Sequence, residues 1–403
     1  MTGRDPDEDG RTSTPLELLF DLTFVVAVGQ AANLVAHGIF EGHTAPSLIA
    51  FAVAVFAIIW AWINFSWFAS AFDTDDWVFR VVTMVQMVGV CIVALGLPNL
   101  FRSIDEGGHV NIRLVVVGYV IMRLAMVFQW LRAARQAPEH RASCLTYAGW
   151  IAVAQAGWVV LAILNLALLP TLLVIAALNF VEFLGPWRAE HIGHGTPWHV
   201  HHIAERYSLF AIIALGEGVV GTVAALASAE EASGGITVDV LLVGAAGIGL
   251  TFGMWWAYFA IPYGPLLEAH KSRSFGWGYG QVILLGSIIA TGAGLHVAAL
   301  RLEDETHIGS LGAVLSVAIP VNLFILAVFG LYTILTSDVD RHHVWYFVGT
   351  IVILAAAAVL AAVGVGMPVC LVVVALSLLV PVVGHESLGH RHADAAVHRA
   401  ASG

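Results

Sequence analysis

Residues 351–365 read Ile-Val-Ile-Leu-Ala-Ala-Ala-Ala-Val-Leu-Ala-Ala-Val-Gly-Val, a run without a single charge. Similar stretches recur along the 403 residues, of which 59% are hydrophobic and only 11% charged. A soluble domain carries about 25% charged residues, so this composition excludes aqueous single-domain enzymes, nucleic-acid-binding modules and disordered chains. A membrane β-barrel would show alternating polarity over segments of about ten residues, and this run does not alternate. The sequence therefore predicts an all-α fold, a polytopic transmembrane helical bundle.

Apolar stretches long enough to span a bilayer, which takes about 20 residues, occur about twelve times. The predicted spans are 15–37, 46–71, 78–97, 112–133, 145–166, 168–184, 203–228, 237–260, 278–300, 308–334, 345–363 and 367–383. The breaks near Pro170 and at 364–368 contain no charge. At each of them, two separate helices and one kinked helix both remain open.

The basic residues predict the orientation of the spans. With this span pattern, 12 of the 17 Arg and Lys residues fall on the side of the N-terminus and 3 on the opposite side. By the positive-inside rule, both termini are cytoplasmic. The N-terminus is acidic rather than basic, so we expect no cleavable signal peptide.

Polar segments divide the chain into five predicted parts. They are a cytoplasmic N-terminal tail (1–14), a first transmembrane half (15–184), a His-rich cytoplasmic linker (185–202), a second transmembrane half (203–383) and a His-rich cytoplasmic tail (384–403). The net charge of -11 includes acidic groups in the tail and at 303–305, which we interpret as solvated. Since no basic stripe is present, we expect the lipid bilayer and a small solute or ion as partners, and no nucleic acid.

The two halves resemble each other weakly. The first span contains Leu-Thr-Phe-Val-Val-Ala-Val-Gly-Gln at 22–30, and the seventh contains Leu-Phe-Ala-Ile-Ile-Ala-Leu-Gly-Glu at 209–217. An aromatic cluster follows in the next span of each half, at 60–65 and 254–259. Two parallel six-helix repeats and a chance likeness of apolar helices both remain open.

Three motifs in order resemble the bacterial low temperature requirement protein A family. They are Ser-Thr-Pro-Leu-Glu-Leu-Leu-Phe-Asp-Leu-Thr-Phe-Val at 13–25, Phe-Asp-Thr-Asp-Asp at 72–76 and Ala-Glu-Arg-Tyr-Ser-Leu-Phe-Ala-Ile-Ile-Ala-Leu-Gly-Glu at 204–217. The resemblance covers about residues 11 to 383, and departs locally at Gly218, where a small hydroxyl residue is expected. It implies a multi-pass protein of the bacterial cytoplasmic (inner) membrane and implies no agreed biochemical activity.

Charged residues inside the predicted spans are the candidate functional residues, because a charge at the bilayer centre costs several kcal/mol. Glu17 and Asp21 are four residues apart in the first span and share one face of a helix. In the seventh span, Glu205 and Arg206 lie in the first turn. Glu217 lies twelve residues beyond Glu205, about 18 Å deeper.

Two further spans contain buried charges. Arg123 lies near the middle of the fourth span, and we predict that it is the partner of Glu217. Glu182, near the end of the sixth span, is a further acid. The candidates for a substrate or proton pathway are therefore Glu217, Arg123, Glu205, Arg206, Glu17, Asp21 and Glu182. Alternatively, Arg123 and one acid form a fixed pair that specifies packing.

The start of the third span predicts a structural ion pair and a helix cap. Asp76 and Arg80 are four residues apart, which favours a salt bridge. Thr74 and Asp75, just before the span, are residue types that cap helices. We interpret this group as structural rather than functional.

Histidines are frequent in the linker and the tail, where sensing of cytoplasmic pH and metal binding both remain open, but their spacing forms no recognised metal motif. In His-Glu-Ser-Leu-Gly-His at 385–390 the two histidines are five residues apart, which places them poorly for one zinc ion. His202 and Glu205, three apart, are too few ligands for a metal. The three cysteines, Cys91, Cys144 and Cys370, indicate no disulfide framework. We therefore expect no cofactor and no metal.

These observations favour a carrier or channel for a small solute or ion, with proton coupling through intramembrane carboxylates. One alternative is a non-transporting membrane component or sensor, in which the charge pairs hold the bundle together. The other is an intramembrane lipid-modifying enzyme. Because no nucleophile motif, metal cage or phosphate-binding loop is visible, we expect no enzyme.

Overall fold

The computed structural model describes residues 1–8, 10–303, 307–337, 341–384 and 386. This part of the chain is 85% helical and contains no strand. The helices are α1 (Pro15–Phe40), α2 (Thr44–Phe72), α3 (Trp77–Asp105), α4 (Arg113–Gln136), α5 (Arg141–Leu164), α6 (Leu168–Glu190), α7 (Val200–Ser233), α8 (Val238–Phe259), α9 (Tyr263–Ala269), α10 (Ser274–Glu303), α11 (Ser310–Thr336), α12 (Arg341–Ala362), α13 (Met367–Leu376) and α14 (Leu379–Gly384). Asp9, Asp304, Glu305 and the tail histidines His385, His390, His392 and His398 lie outside the described residues.

Twelve helical stretches in the described chain are long and apolar enough to cross a membrane. This confirms the predicted all-α bundle of about twelve spans. The last predicted span, 367–383, contains two consecutive helices, α13 and α14. The predicted linker also has narrower bounds, because α6 continues to Glu190 and α7 begins at Val200.

At both of the uncharged breaks, near Pro170 and at 364–368, the structure has two separate helices. Asn165 ends α5 in the left-handed conformation, with a φ of 48°, and α6 begins three residues later. Pro170 lies in the first turn of α6, where a missing N–H breaks no helical hydrogen bond. Gly364 follows α12 with a φ of 91°, a conformation that glycine adopts at little cost.

Several helices extend beyond the apolar windows from which they were predicted. The third span was predicted to end at residue 97, yet α3 continues through Pro98 to Asp105. The polar residues Arg102 and Asp105 form its last turn. An apolar window ends where polar residues begin, whereas helical hydrogen bonding continues as long as the backbone permits.

The chain divides into two compact units, residues 1–31 with 46–206 and residues 32–45 with 207 onward. In the first unit, α3 and α4 approach each other closely at two glycines. A Cβ atom on Gly118 would lie 2.5 Å from the carbonyl oxygen of Gly89 and 2.7 Å from the amide nitrogen of Val93. Only glycine therefore fits at position 118 without moving a backbone.

Aromatic rings join four helices of the first unit. Phe68 of α2 meets Trp130 of α4 edge to face at 4.7 Å between ring centroids. Trp130 in turn stacks on Tyr147 of α5 at 4.1 Å, and Phe68 lies 6.4 Å from Phe79 of α3. Such aromatic pairs add to the burial of apolar area, and they pack α2, α3, α4 and α5 against one another.

In the second unit, small apolar residues of α7, α8 and α10 form one core, and aromatic residues form another. The first core contains Ala225, Ala229, Val240, Val243 and Ala299. In the second, Trp277 meets Tyr207 at 4.7 Å and Tyr263 at 5.6 Å between ring centroids. The small side chains let α7 and α10 approach closely, as is common where helices pack in membranes.

The α3–α4 contact predicts the effect of a single methyl group. Gly118→Ala should destabilise the protein by about 1–3 kcal/mol, because the added Cβ meets backbone atoms that cannot rotate away. The matched control is Gly149→Ala on α5, where a Cβ would meet nothing within 4 Å. Thermal unfolding of the purified protein in detergent measures both. Equal melting temperatures for the two variants would contradict the close approach.

Candidate functional site

In the first unit, helices α1 and α7 contribute four charged or titratable side chains with no exposed surface. Glu17 and Asp21 belong to α1, His202 and Arg206 to α7, and each has 0% exposure. We call these four residues the buried charge cluster. Sequence spacing had placed the two acids on one face of a helix, and the structure brings them against α7.

Asp21 and Arg206 form a two-pronged ion pair. Nη1 of Arg206 donates to Oδ2 of Asp21 at 2.8 Å, and Nη2 donates to Oδ1 at 2.5 Å. Trp62 of α2 adds a third donor, since its Nε1 lies 2.7 Å from Oδ1. The guanidinium also lies over the Trp62 ring, 5.7 Å from its centroid. Three helices therefore meet at one carboxylate.

Glu17 has a structural role and an electrostatic one. The Thr14 amide donates to Oε2 of Glu17 at 2.8 Å, and the Glu17 amide donates to Oγ1 of Thr14 at 3.3 Å. This reciprocal pattern is a capping box, and Pro15 occupies the first helical position, which it favours. The other carboxylate oxygen, Oε1, lies 3.2 Å from Nε2 of His202 and 3.8 Å from Nε of Arg206.

The charge balance of the buried charge cluster depends on one proton. Two carboxylates face one guanidinium that is always charged. With a neutral imidazole the cluster has a net charge of one negative unit, and with a protonated His202 it is neutral. Within a region shielded from water such a difference is large. A proton on His202, or on either of the two carboxylates, would therefore make the cluster neutral.

From the sequence, His202 was expected to be one of the linker histidines open to pH sensing or to metal binding, the latter beside Glu205. The spacing of four residues between His202 and Arg206 places both on one face of α7, and this signal indicates their shared site. Glu205 lies outside the cluster. Its Oε1 accepts a hydrogen bond from the Ser13 amide at 3.2 Å, so it positions the segment that leads into α1.

A second group of the first unit surrounds Glu182 of α6. Arg123, Tyr119 and Trp60 donate to its Oε2 at 2.5, 2.9 and 2.6 Å. Trp158 donates to Oε1 at 3.0 Å, and Gln155 lies 3.4 Å from the same atom. We call Glu182 and its five donors the Glu182 cluster.

The prediction that Glu217 is the partner of Arg123 was wrong. Arg123 pairs with Glu182, because α4 and α6 bring the two side chains together within the first unit. Five donors on one carboxylate leave it little freedom, and both charged side chains are at most 5% exposed. This group fits the alternative of a fixed pair that specifies packing.

Asp73, Asp75 and Asp76 form the turn between α2 and α3, and the predicted roles of two of them are exchanged. Asp76 is the helix cap, since its Oδ1 accepts from the Phe79 amide at 3.0 Å. Asp75 is the partner of Arg80, with Nη2 to Oδ2 at 2.6 Å. A left-handed φ of 46° at Asp75 turns its side chain toward Arg80.

The environment sets the pKa of each acid in this turn. Hydrogen bonding from Arg132 and then from the Phe79 amide holds the pKa of Asp76 well below its usual range, against the opposing effect of burial. The hydrogen bond from Arg80 lowers the pKa of Asp75. Burial, and after it the charge of Glu17, raises the pKa of Asp73 to about 6.

Glu217 lies at the centre of α7 in the second unit and is 6% exposed. A Cβ on Gly292 of α10 would lie 2.8 Å from the Glu217 Cβ, so the two helices touch at this point. Gly218, where the family resemblance led us to expect a hydroxyl, faces the Thr251 hydroxyl, which would lie 2.7 Å from a Cβ there. A hydroxyl group therefore does lie next to position 218, but it belongs to Thr251 of α8.

Across the described residues, no group of three His, Cys, Asp or Glu side chains is placed to hold a metal ion. Two of the linker histidines bond to backbone carbonyl oxygens. His191 lies 2.7 Å from the Trp187 carbonyl oxygen, and His199 lies 2.9 Å from the Glu8 carbonyl oxygen.

Loss of a buried ion pair should reduce the free energy of unfolding far more than loss of an exposed one. Arg206→Met should destabilise the protein by about 3–5 kcal/mol, because it leaves buried carboxylates without their cation. Arg80→Met should cost little stability, because that pair is exposed. Unfolding in mixed detergent micelles measures both variants. The double variant Asp21→Asn/Arg206→Met should cost less than the sum of its single changes, and simple additivity would contradict the pairing.

The raised pKa of Asp73 predicts that the stability of the fold depends on pH. Since its folded pKa of about 6 exceeds the ordinary 3.8, the folded state binds the proton more tightly than the unfolded state does. The charged carboxylate therefore destabilises the fold above about pH 6, by at most about 3 kcal/mol, and the penalty disappears as the pH falls to about 4. Asp73→Asn should be more stable than the parent at about pH 8 and equal to it at about pH 4.

The control for that experiment is Asp75→Asn. The pKa of Asp75 is lowered, so its charge stabilises the fold, and its removal should reduce stability at about pH 8. Thermal unfolding across the pH range measures both variants. A gain for Asp73→Asn that does not change with pH would contradict the assignment.

Comparison with known proteins agrees with the motifs. The family model described as the bacterial low temperature requirement A protein (LtrA) matches residues 12–378. An uncharacterized protein of Rhizobium meliloti (strain 1021) is 27% identical over 296 residues, which cover 69% of this chain and 67% of the relative. The family match confirms the resemblance and extends over nearly all the membrane-length helices. The chain therefore belongs to the bacterial low temperature requirement A family, as a multi-pass membrane protein.

Proposed function

We propose that this chain is a carrier or channel for a small solute or ion, with proton coupling through carboxylates inside the membrane. One contrast supports the proposal. Asp21 and Glu182 each have an arginine partner, whereas no cation or hydrogen-bond donor among the described residues of the second unit reaches the Glu217 carboxyl group. Glu217 is thus the acid at mid-span whose charge has no fixed partner in its unit.

An acid of this kind suits an exchanging site rather than a structural one. A charge near the bilayer centre costs several kcal/mol unless a partner or water reaches it. The Glu217 carboxyl group can therefore release its proton only when a cation, a solute or water arrives. This dependence links the occupancy of the site to proton binding, which is the physical requirement for coupling.

His296 extends the proposed pathway by one helical turn. Gly221 lies one turn after Glu217 on α7, and a Cβ there would lie 2.8 Å from Cδ2 of His296. His296 itself lies one turn after Gly292, the residue that touches Glu217. Its buried Nε2 has no partner among the described residues. Glu217 and His296 are thus neighbouring titratable groups along the contact between α7 and α10.

The buried charge cluster supports the same proposal in the first unit. We propose that the chain lies in the bacterial inner membrane with both termini cytoplasmic, as the basic residues indicate. The cluster then lies toward the cytoplasmic ends of α1 and α7. A proton on His202 would neutralise it, so solute entry from the cytoplasm would depend on pH.

A non-transporting membrane component or sensor is the second candidate. The Glu182 cluster favours it, because five donors on one carboxylate serve packing rather than exchange. The expectation that the protein is not an enzyme remains a prediction from the sequence.

Glu217→Gln provides the direct test of the proposal. The protein is reconstituted into liposomes that contain only potassium, sodium, chloride and phosphate, and a potassium diffusion potential drives proton entry. A trapped pH-sensitive dye reports the flux. We expect the parent to acidify the lumen and Glu217→Gln to reduce the rate at least about tenfold, because an amide cannot bind and release a proton.

The matched control is Glu230→Gln, the same change on the exposed outer part of α7, which should leave the flux unchanged. Size-exclusion chromatography confirms that each variant is folded. Equal flux in the parent and Glu217→Gln would make the carboxyl group structural. No flux from the parent in these salts would contradict a proton-coupled carrier or channel for the ions present.

A further inference from the structure

A groove of about 500 Å³ runs between α4 and α5 on the surface of the first unit. Its floor includes the buried Val116, and its rims are exposed, with Val117 50% and Ile163 71% accessible. A volume of this size lies within the usual range of ligand sites. We call it the α4–α5 groove, and it is lined by Arg113, Val116, Val117, Val120, Ile121, Val159, Ala162 and Ile163.

The α4–α5 groove begins where both helices end. Arg113 is the first residue of α4, and the antiparallel neighbour α5 ends at Leu164. The rings of Tyr119 and Trp158 face each other across the two helices, 5.8 Å apart, and this register places Arg113 level with the end of α5. From Arg113 to Ile121 the groove extends over eight residues, about 12 Å at the helical rise.

The shape and lining of the groove match a lipid acyl chain. Half of the hydrocarbon core of a bilayer is about 15 Å thick, close to the length of the groove. Seven of its eight lining side chains are aliphatic, and Arg113 alone among them is polar. In a multi-pass membrane protein, an exposed aliphatic groove along two membrane-length helices lies against acyl chains.

Arg113 adds a charge at the level of the lipid headgroups. The side chain is exposed, and no ion pair or side-chain hydrogen bond to it occurs among the described residues. A guanidinium presents paired donors that fit the oxygens of a phosphate group. Phosphatidylcholine also contains a phosphate, but its own ammonium group offsets that charge. The groove and Arg113 together therefore favour a lipid whose headgroup has a net negative charge.

We propose that the α4–α5 groove is a binding site for one anionic phospholipid. One acyl chain lies along the aliphatic lining, and the phosphate group lies against the Arg113 guanidinium. The bound lipid fills the space between α4 and α5, so it stabilises the folded protein by mass action. This inference concerns the lipid partner alone and does not depend on any transported solute.

Addition of lipid to the purified full-length protein in detergent tests the site. Phosphatidylglycerol and phosphatidylcholine with identical palmitoyl and oleoyl chains are titrated separately, and thermal unfolding is followed at each concentration. We expect phosphatidylglycerol to give a saturable rise in melting temperature that phosphatidylcholine does not match. Arg113→Gln should weaken the apparent affinity for phosphatidylglycerol at least about fivefold, because one arginine near anionic headgroups contributes about that factor.

Two matched controls separate the groove from a general effect of lipid. Arg102→Gln removes an exposed arginine near the end of α3, outside the groove, and should behave like the parent. Ala162→Trp fills the groove with an indole ring and should abolish the saturable rise. Ala152→Trp places the same ring on an exposed position of α5 outside the groove and should preserve the rise.

Native mass spectrometry of the parent counts the bound lipid, and we expect one phosphatidylglycerol per chain. Equal effects of the two lipids, or an unchanged affinity in Arg113→Gln, would overturn the proposal. Stabilisation by water-soluble glycerol phosphate alone would instead indicate a site for a free phosphate. A dimer that retains no lipid would assign the groove to a second copy of the chain, and either result contradicts a lipid site.

Discussion

The buried ion pair between Asp21 and Arg206 is the interaction on which the first unit depends. A lone carboxylate or guanidinium without exposed surface would cost several kcal/mol, so neither helix can take its place without the other. The pair draws Trp62 into the same site and holds Glu17 and His202 beside it. The start of α1, the start of α7 and the middle of α2 are thus fixed by a single electrostatic requirement.

Buried acids in this protein fall into three physical classes. Glu182 is saturated by donors and held in one geometry, which suits packing. The carboxylates of the buried charge cluster share one arginine and a histidine, so a proton alters their balance. Glu217 has no fixed partner in its unit and lies beside His296 along a contact of small residues. Only the latter two classes can respond to protons or solutes, and for this reason the proposed function rests on them.

Local sequence signals indicated much of this arrangement. Thr14, Pro15 and Glu17 form a capping box that can be read from their spacing, and the Asp-Thr-Asp-Asp turn before α3 was identified as a cap with an ion pair. The exchanged roles of Asp75 and Asp76 depend on a left-handed backbone at Asp75, which residue types alone do not specify. The partner of Arg123 could not be chosen either, because Glu182 is 59 residues away along the chain and several acids had suitable depth.

The sequence by itself determined that this is an all-α membrane bundle of about twelve spans, since too few charged residues are present to cover a soluble surface. It also identified the family and the small set of charged residues within the helices. Only the tertiary structure decided which charges meet and that His202 joins Glu17. Periodicity reports the face and depth of a residue on its own helix, whereas a partner is chosen by how separate helices pack against one another.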